Sequence, residues 1–190
     1  MKKIIILASG SGSNAENIIT HFKHNPNITI AAVLTNKKTA GVLERCQRLK
    51  VPTLVFDREA FYHSTLVLDV IASQEPALIV LAGFLWKIPQ SFIDRFPNQI
   101  INIHPALLPK YGGKGMYGHH VHKAVKDHAE TETGITIHYV NEHYDEGAII
   151  KQENVAVLPS DSVDDIAKKV HQLEQAHFPK VIHNLLVSHG

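Results

Sequence analysis

The stretch 101-INIHPALLPKYGGKGMYGHHVH-122 puts a carboxamide, Asn102, and an imidazole, His104, two residues apart at the end of an apolar run. In an extended strand, residues i and i+2 point to the same face, so these side chains project together. The carboxamide offers a neutral N–H donor. A protonated imidazole offers a charged donor, or an acid that can deliver a proton. Such a pair suits an oxyanion, where losing one donor costs about 2.7–4 kcal/mol in enzymes of that kind. It would also suit a structural buttress for the glycine-rich loop that follows. A third group bears on the choice. Asp145, in the turn 141-NEHYDEG-147, would favour an imidazolium and raise its pKa if folding brought it to His104. Otherwise it is an ordinary turn aspartate.

A second chemistry-bearing segment is Gly10-Ser11-Gly12-Ser13-Asn14-Ala15, between an apolar run and a helical pattern. Glycines let backbone come close to a ligand, and the free N–H groups of a helix start favour an anion. Ser13 and Asn14 add side-chain donors. The alternatives are a plain turn with a serine cap and a dinucleotide fingerprint. The fingerprint wants a carboxylate about 20 residues on. Thr35-Asn36-Lys37-Lys38 stands there instead, so an NADP-binding reductase survives only through the lysines. No Lys-Ser/Thr pair follows, which excludes a Walker loop.

Other candidates carry less. His120 and His122 face apart on a helix start, and with His119 they form a poor metal set. Gly112 to Gly118 reads as a cover over the strand end or as a plain surface loop. Trp86 is core packing or a cavity wall. Cys46, between Leu43 and Leu49 on a helical pattern, reads as buried and inert.

The elements that must position these groups alternate. Strand patterns occur at 4–8, 28–34, 53–56, 77–82 and 99–103, and 77–82 is the most apolar. Helical patterns lie between them: 13–23, 41–50, 58–74 (Phe61, Leu66, Val70 and Ile71 inward), a short one after Pro89, and 119–127. A hairpin follows over 135–140 and 148–157. A last helix starts near Ser162, with Val163, Ile166, Val170 and Leu173 inward, and Pro179 is expected to kink or restart it. Strand–helix alternation implies an α/β, doubly wound, mostly parallel sheet with right-handed crossovers. The hairpin and final helix are an appendage, expected as a sublobe. The expected organisation is a single domain over 1–190, with phosphate binding mainly in 1–100 and the catalytic strand, loop, hairpin and final helix in 101–190.

Composition narrows the partners. A formal net charge of +1 over 190 residues gives no reason to expect nucleic acid or an anionic membrane. The lone Cys46 excludes an internal disulfide and fits a reducing cytoplasm. No run reaches the roughly 18 apolar residues of a membrane span. The five apolar residues after Lys2-Lys3 are too few for a signal-peptide core.

Taken in order, GSGSN, LAGF (81–84), NIHPALLPKY (102–111) and GITIHYVNEHYDEG (134–147) resemble the folate-dependent formyltransferases over nearly the whole chain. The resemblance implies a Rossmann-like fold and formyl transfer from 10-formyltetrahydrofolate, a co-substrate, with no metal. GSGSN in a chain of this length points to glycinamide ribonucleotide as the acceptor; the C-terminal or N-terminal extensions of other family branches are not expected. It implies that Gly12, Ser13 and Asn14 hold the ribonucleotide phosphate and that Glu174 contacts the glycinamide. Arg58 would face the folate's acidic tail. Leu85, Trp86, Lys87 and Ile88, with Asn102 and the backbone of 140–145, would line the pterin pocket. Asn102, His104 and Asp145 would be the catalytic trio. The implied partners are small molecules for a cytoplasmic monomer or weak homodimer. The chain departs from the commoner pattern at Trp86-Lys87 (usually Met-Arg), in the longer Gly112–Gly118 loop, and at His171, where a Gln is common.

Overall fold

The computed structural model describes residues 1–188. Strands β1 (Lys2–Leu7), β2 (Ile28–Thr35), β3 (Thr53–Val55), β4 (Leu78–Leu81), β5 (Ile100–His104), β6 (Glu132–Tyr139) and β7 (Ile149–Ala156) form one seven-stranded sheet in the order β3-β2-β1-β4-β5-β6-β7. The pairs from β3 to β5 are parallel; β5–β6 and β6–β7 are antiparallel. The hairpin therefore continues the main sheet and does not stand apart as a sublobe. Chain direction across the sheet reverses between β1 and β4, which opens a crevice at their carboxyl ends.

Alternation along the central strands feeds two cores. Ile4, Ile6, Leu78, Val80, Ile101 and Ile103 face helices α1 (Ser13–Phe22), α2 (Val42–Leu49), α5 (His119–Asp127) and α6 (Val163–Ser188). Ile5, Leu7, Ile79, Leu81 and Ile100 face α3 (Leu66–Ser73), α4 (Gln90–Arg95) and a cluster of phenylalanines. In α1 the buried residues Ala15, Ile18, Ile19 and Phe22 recur at helical spacing, so one stripe is apolar. Cys46 lies fully inside, and burial pushes its thiol up to about 11.

Two further expectations change. The stretch 58–74 is broken: a π-helical turn, Glu59–His63, ends at extended Ser64, and α3 begins afresh at Leu66. The interruption resets the helical phase, so Val67 is buried while Leu66 is 60% exposed and Val70 half-buried. The second concerns Pro179. Helix α6 runs through it without restarting. Proline leaves the carbonyl four residues earlier without its helical donor, and Asn17 Nδ2 donates to that carbonyl of Gln175 at 2.9 Å. A neighbouring helix thus supplies the missing bond. At its start, Ser162 Oγ accepts from Asp165 N–H at 3.1 Å, and Asp165 Oδ2 accepts from Ser162 N–H at 3.0 Å, a reciprocal cap.

The phase of α3 is open to test by urea unfolding. Leu66→Ser is expected to change stability by no more than about 0.5 kcal/mol. Ile71→Ala, at a fully buried position, is expected to cost about 2–5 kcal/mol.

Candidate active site

A cavity of about 740 Å³ lies at the carboxyl ends of β1, β4 and β5. Its walls bring together Gly10–Asn14, Leu81–Ile88, Asn102–Pro105, the loop from Gly113, and Asp145, His171 and Glu174. The residues that the family resemblance implied for the site therefore share one space, with one exception. Arg58 lies in an adjoining smaller cavity with Asn36, Lys38 and Asp57, behind Trp86.

At its centre, Asn102 and His104 end β5. The next strand runs antiparallel, and its register sets His138 directly opposite Asn102. Cross-strand partners share a face. His138 Nδ1–H donates to the Tyr139 carbonyl at 2.8 Å, so its Nε2 is an acceptor, and Asn102 Nδ2 donates to it at 3.1 Å. This bond orients the carboxamide and leaves its second N–H uncommitted. His138 was absent from the sequence reading. Its signal was parity: Gly134, Thr136 and His138 share one face of an otherwise apolar strand.

Asp145 does reach His104. Its Oδ2 lies 3.5 Å from His104 Nδ1, and its Oδ1 lies 3.7 Å from His138 Nε2. The turn achieves this with Asp145 in left-handed backbone (φ 58°), a conformation that Asp tolerates better than most residues. Gly147 closes the same turn, and a Cβ there would fall 1.7 Å from the Tyr139 carbonyl oxygen. Gly113 N–H donates to Asp145 Oδ2 at 2.9 Å, and His104 Nε2–H to the Tyr111 carbonyl at 2.7 Å. Buried Thr136 braces the segment between them: its Oγ1 donates to Ala106 O at 2.7 Å and accepts from Leu108 N–H at 3.0 Å.

The electrostatics reverse one expectation. Burial pulls the His104 pKa below its ordinary value. Asp145, the Tyr111 carbonyl and Glu174 all pull upward and His138 downward, and burial prevails. The ring is 3% exposed, so the cost of taking a cation out of water outweighs one carboxylate 3.5 Å away. Burial thus favours the neutral ring, in which the Tyr111 carbonyl takes the Nε2 proton and Nδ1 faces Asp145. For Asp145 burial pushes upward, yet the carboxyl is held below the usual range, with the Gly113 N–H donating to it at 2.9 Å.

The first loop opens α1 with Gly12 as its cap, in left-handed backbone (φ 78°) and without a side-chain capping bond. A Cβ on Gly12 would lie 2.5 Å from Val42 Cβ. The serine-cap alternative is thus not what is built; the helix's first N–H groups are left for a ligand. Asn14 differs from expectation. Its Nδ2 donates to Glu174 Oε2 at 2.9 Å and its Oδ1 accepts from Gln175 at 3.1 Å, so its side chain ties α1 to α6. Glu174 also receives His171 Nδ1 at 3.2 Å, and that bond raises the His171 pKa against the opposing effect of burial. A cation favoured by Glu174 therefore borders the same cavity as the loop.

The apolar end of the cavity is built from the segment after β4. Leu85 N–H donates to buried Ser9 Oγ at 3.0 Å, which fixes the turn. Trp86 does both things expected of it. It lines the cavity and rests on Phe56, Phe61 and Phe84 with ring centroids 6.0, 5.8 and 6.3 Å away. Arg58 lies over the Trp86 ring, its guanidinium carbon 5.2 Å from the centroid. Lys87 sits 5.8 Å over the Tyr144 ring. Of the two lysines after β2, Lys38 lines the smaller cavity and Lys37 neither, which removes the groups an NADP 2′-phosphate would need from the main space. His119 and His120 are exposed and His122 is buried. No group of three or more His, Cys, Asp or Glu among the described residues is arranged to hold a metal. No helix among them is long and apolar enough to cross a membrane.

Residues 2–182 match the family model described as formyl transferase. A chloroplastic phosphoribosylglycinamide formyltransferase of Arabidopsis thaliana is 38% identical over 95% of the chain, which spans only 64% of that relative's length. The phosphoribosylglycinamide formyltransferase of Haemophilus influenzae is 37% identical, covering 96% of this chain and 86% of that one. The crystal structure of glycinamide ribonucleotide transformylase 1 from Geobacillus kaustophilus superposes with a TM-score of 0.88 at 30% identity, over 98% of this chain and 99% of the other.

The balance at His104 is directly measurable. Asp145→Asn is expected to lower the His104 pKa further, because it removes the largest upward pull while burial remains. A ¹⁵N NMR titration of the ring nitrogens reads the shift; an unchanged or raised pKa would show that Asp145 does not act on the ring.

Proposed function

The chain belongs to the formyl transferase family, and from that premise we propose that it moves the formyl group of 10-formyltetrahydrofolate onto the primary amine of glycinamide ribonucleotide, a step of purine biosynthesis. The observation that carries the reading is the reach of Asp145 to His104, 3.5 Å apart, in one cavity with the Gly10–Asn14 loop. Phosphate recognition and acyl transfer are thereby offered to two substrates side by side. Holding both in register is itself worth roughly 7–11 kcal/mol of barrier.

In this reading the phosphate rests on the backbone N–H groups of Gly12, Ser13 and Asn14, with His171 supplying charge at the rim. Glu174, held by Asn14 and His171, faces the glycinamide portion. The pterin lies along Leu85, Trp86, Lys87 and Ile88. Arg58 meets the acidic tail only where it passes Trp86 into the smaller cavity. The attacking amine forms a bond to the formyl carbon, and the carbonyl oxygen gains negative charge. The uncommitted N–H of Asn102 is the first donor to that oxygen. His104 becomes charged during the reaction, not before it. Its Nδ1 lone pair beside Asp145 is the natural stop for the proton the amine sheds, and the resulting imidazolium is stabilised by the carboxylate as the oxyanion develops. The carbonyl then re-forms as the carbon–N10 bond breaks, and N10 takes the proton back from the His104 imidazolium, which returns to neutral. A ring kept neutral by burial is a better acceptor for this relay than one charged at rest.

The near-neutral charge of +1 and buried Cys46 support small-molecule substrates and a reducing cytoplasm for a monomer or weak homodimer within one domain.

Incubation with glycinamide ribonucleotide and 10-formyl-dideazafolate, followed spectrophotometrically, is expected to show deformylation of the folate. His104→Ala and Asp145→Asn are expected to lower kcat by at least about a hundredfold, the scale of one lost acid–base group. Ser13→Asp is expected to raise KM for the ribonucleotide and leave that for folate alone. Near-normal turnover in His104→Ala would refute the catalytic assignment. Unchanged ribonucleotide affinity in Ser13→Asp would remove the cradle.

A further inference from the structure

We propose that Tyr111 is a positioning residue for His104, and that Glu130, outside the cavity, anchors it: the backbone of Tyr111 takes the imidazole N–H while its side chain is held by a polar cluster on the opposite side. The inference rests on the functional reading above for its kinetic consequence, though not for its structural one.

Tyr111 faces two ways. Inward, its carbonyl accepts from His104 Nε2–H at 2.7 Å. That bond selects the ring tautomer and turns Nδ1 to Asp145 at 3.5 Å. Outward, its hydroxyl donates to Glu130 Oε1 at 2.8 Å and accepts from His128 Nδ1–H at 3.0 Å. Its ring stacks on that of His128 with centroids 5.7 Å apart. Glu130 is gripped in turn by Lys110 Nζ at 3.0 and 3.1 Å. The phenol stays protonated and able to donate, because burial and Glu130 push its pKa up to about 12.

The anchor matters because Tyr111 has left-handed backbone, φ 58°. A bulky non-glycine residue keeps that conformation only where its surroundings hold it. The conformation, in turn, aims the carbonyl. Two residues on, Gly113 N–H bonds Asp145 Oδ2 at 2.9 Å. The short run 111–113 therefore touches both members of the His104–Asp145 pair. The other titratable groups near His104 are His138, Glu174 and His122. None of them contacts Tyr111 through the bonds described, so the anchor can be changed without altering those groups.

The test uses Tyr111→Phe, Glu130→Ala and Glu130→Gln in the full chain. The readouts are a ¹⁵N titration of His104 without substrate and steady-state kinetics with both substrates. The Tyr111 carbonyl favours the imidazolium, so Tyr111→Phe is expected to lower the His104 pKa and weaken the preference for the Nε2–H tautomer. It is also expected to reduce kcat about tenfold, the scale of one or two lost hydrogen bonds, with KM changed less than about twofold. Glu130→Ala is expected to move both readouts the same way. Glu130→Gln keeps an acceptor for the hydroxyl and is expected to stay near wild type. If Tyr111→Phe does not fold, the Glu130 pair decides. A His104 titration that superimposes on wild type in Tyr111→Phe or in Glu130→Ala overturns the proposal, as does equal loss in the Ala and Gln variants. A wild-type chain without formyl transfer would sink the functional reading, and the titration would still decide this one.

Discussion

The constraint on which the site depends is the cost of charging a buried imidazole. His104 lies almost wholly out of water, with a carbonyl against one nitrogen and a carboxylate against the other. Two acceptors flank a ring that has only one proton to give when neutral. The surroundings are thus arranged for the cation, while burial disfavours it. In the proposed reaction, a proton arriving at Nδ1 would satisfy the second acceptor as negative charge appears on the substrate.

Most of the surrounding architecture can be understood as holding that ring and its acceptors still. The change from parallel to antiparallel pairing at β5–β6 sets His138 across from Asn102 and returns the chain so that its turn lies over the strand end. Thr136 accepts and donates in the middle of the segment leaving His104, so the chain cannot drift after Pro105. Asp145 takes a backbone conformation few residues accept, and Gly147 leaves no room for a side chain at the close of the same turn. These are local costs, and the packed sheet beneath supplies the rigidity to sustain them.

The other end of the cavity obeys a different rule. There, what faces the cavity is backbone: a glycine cap and a helix start without a side-chain capping bond. The polar side chains that sequence alone would have sent to the ligand, Asn14 and Glu174, bond to each other across two helices. The fold uses them to fix the relative position of α1 and α6, and through it the cradle's shape. Asn17 performs a related service for α6 by filling the carbonyl that Pro179 leaves open.

The sequence by itself determined what depends on local order. Apolar runs separated by helical stripes made the doubly wound sheet legible. Parity along β5 put Asn102 and His104 on one face, and the glycine loop after β1 marked a helix start that borders the cavity. It did not determine where the phase of α3 restarts, because a single extended residue, Ser64, decides that. Nor did it show that Arg58 lies behind Trp86, or that His138 stands opposite Asn102, since both depend on which distant segments become neighbours. The sign of the His104 pKa shift was misjudged for the same reason. A nearby carboxylate can be guessed from a motif, but solvent exclusion is a property of the whole packed chain, and here it is the stronger of the two.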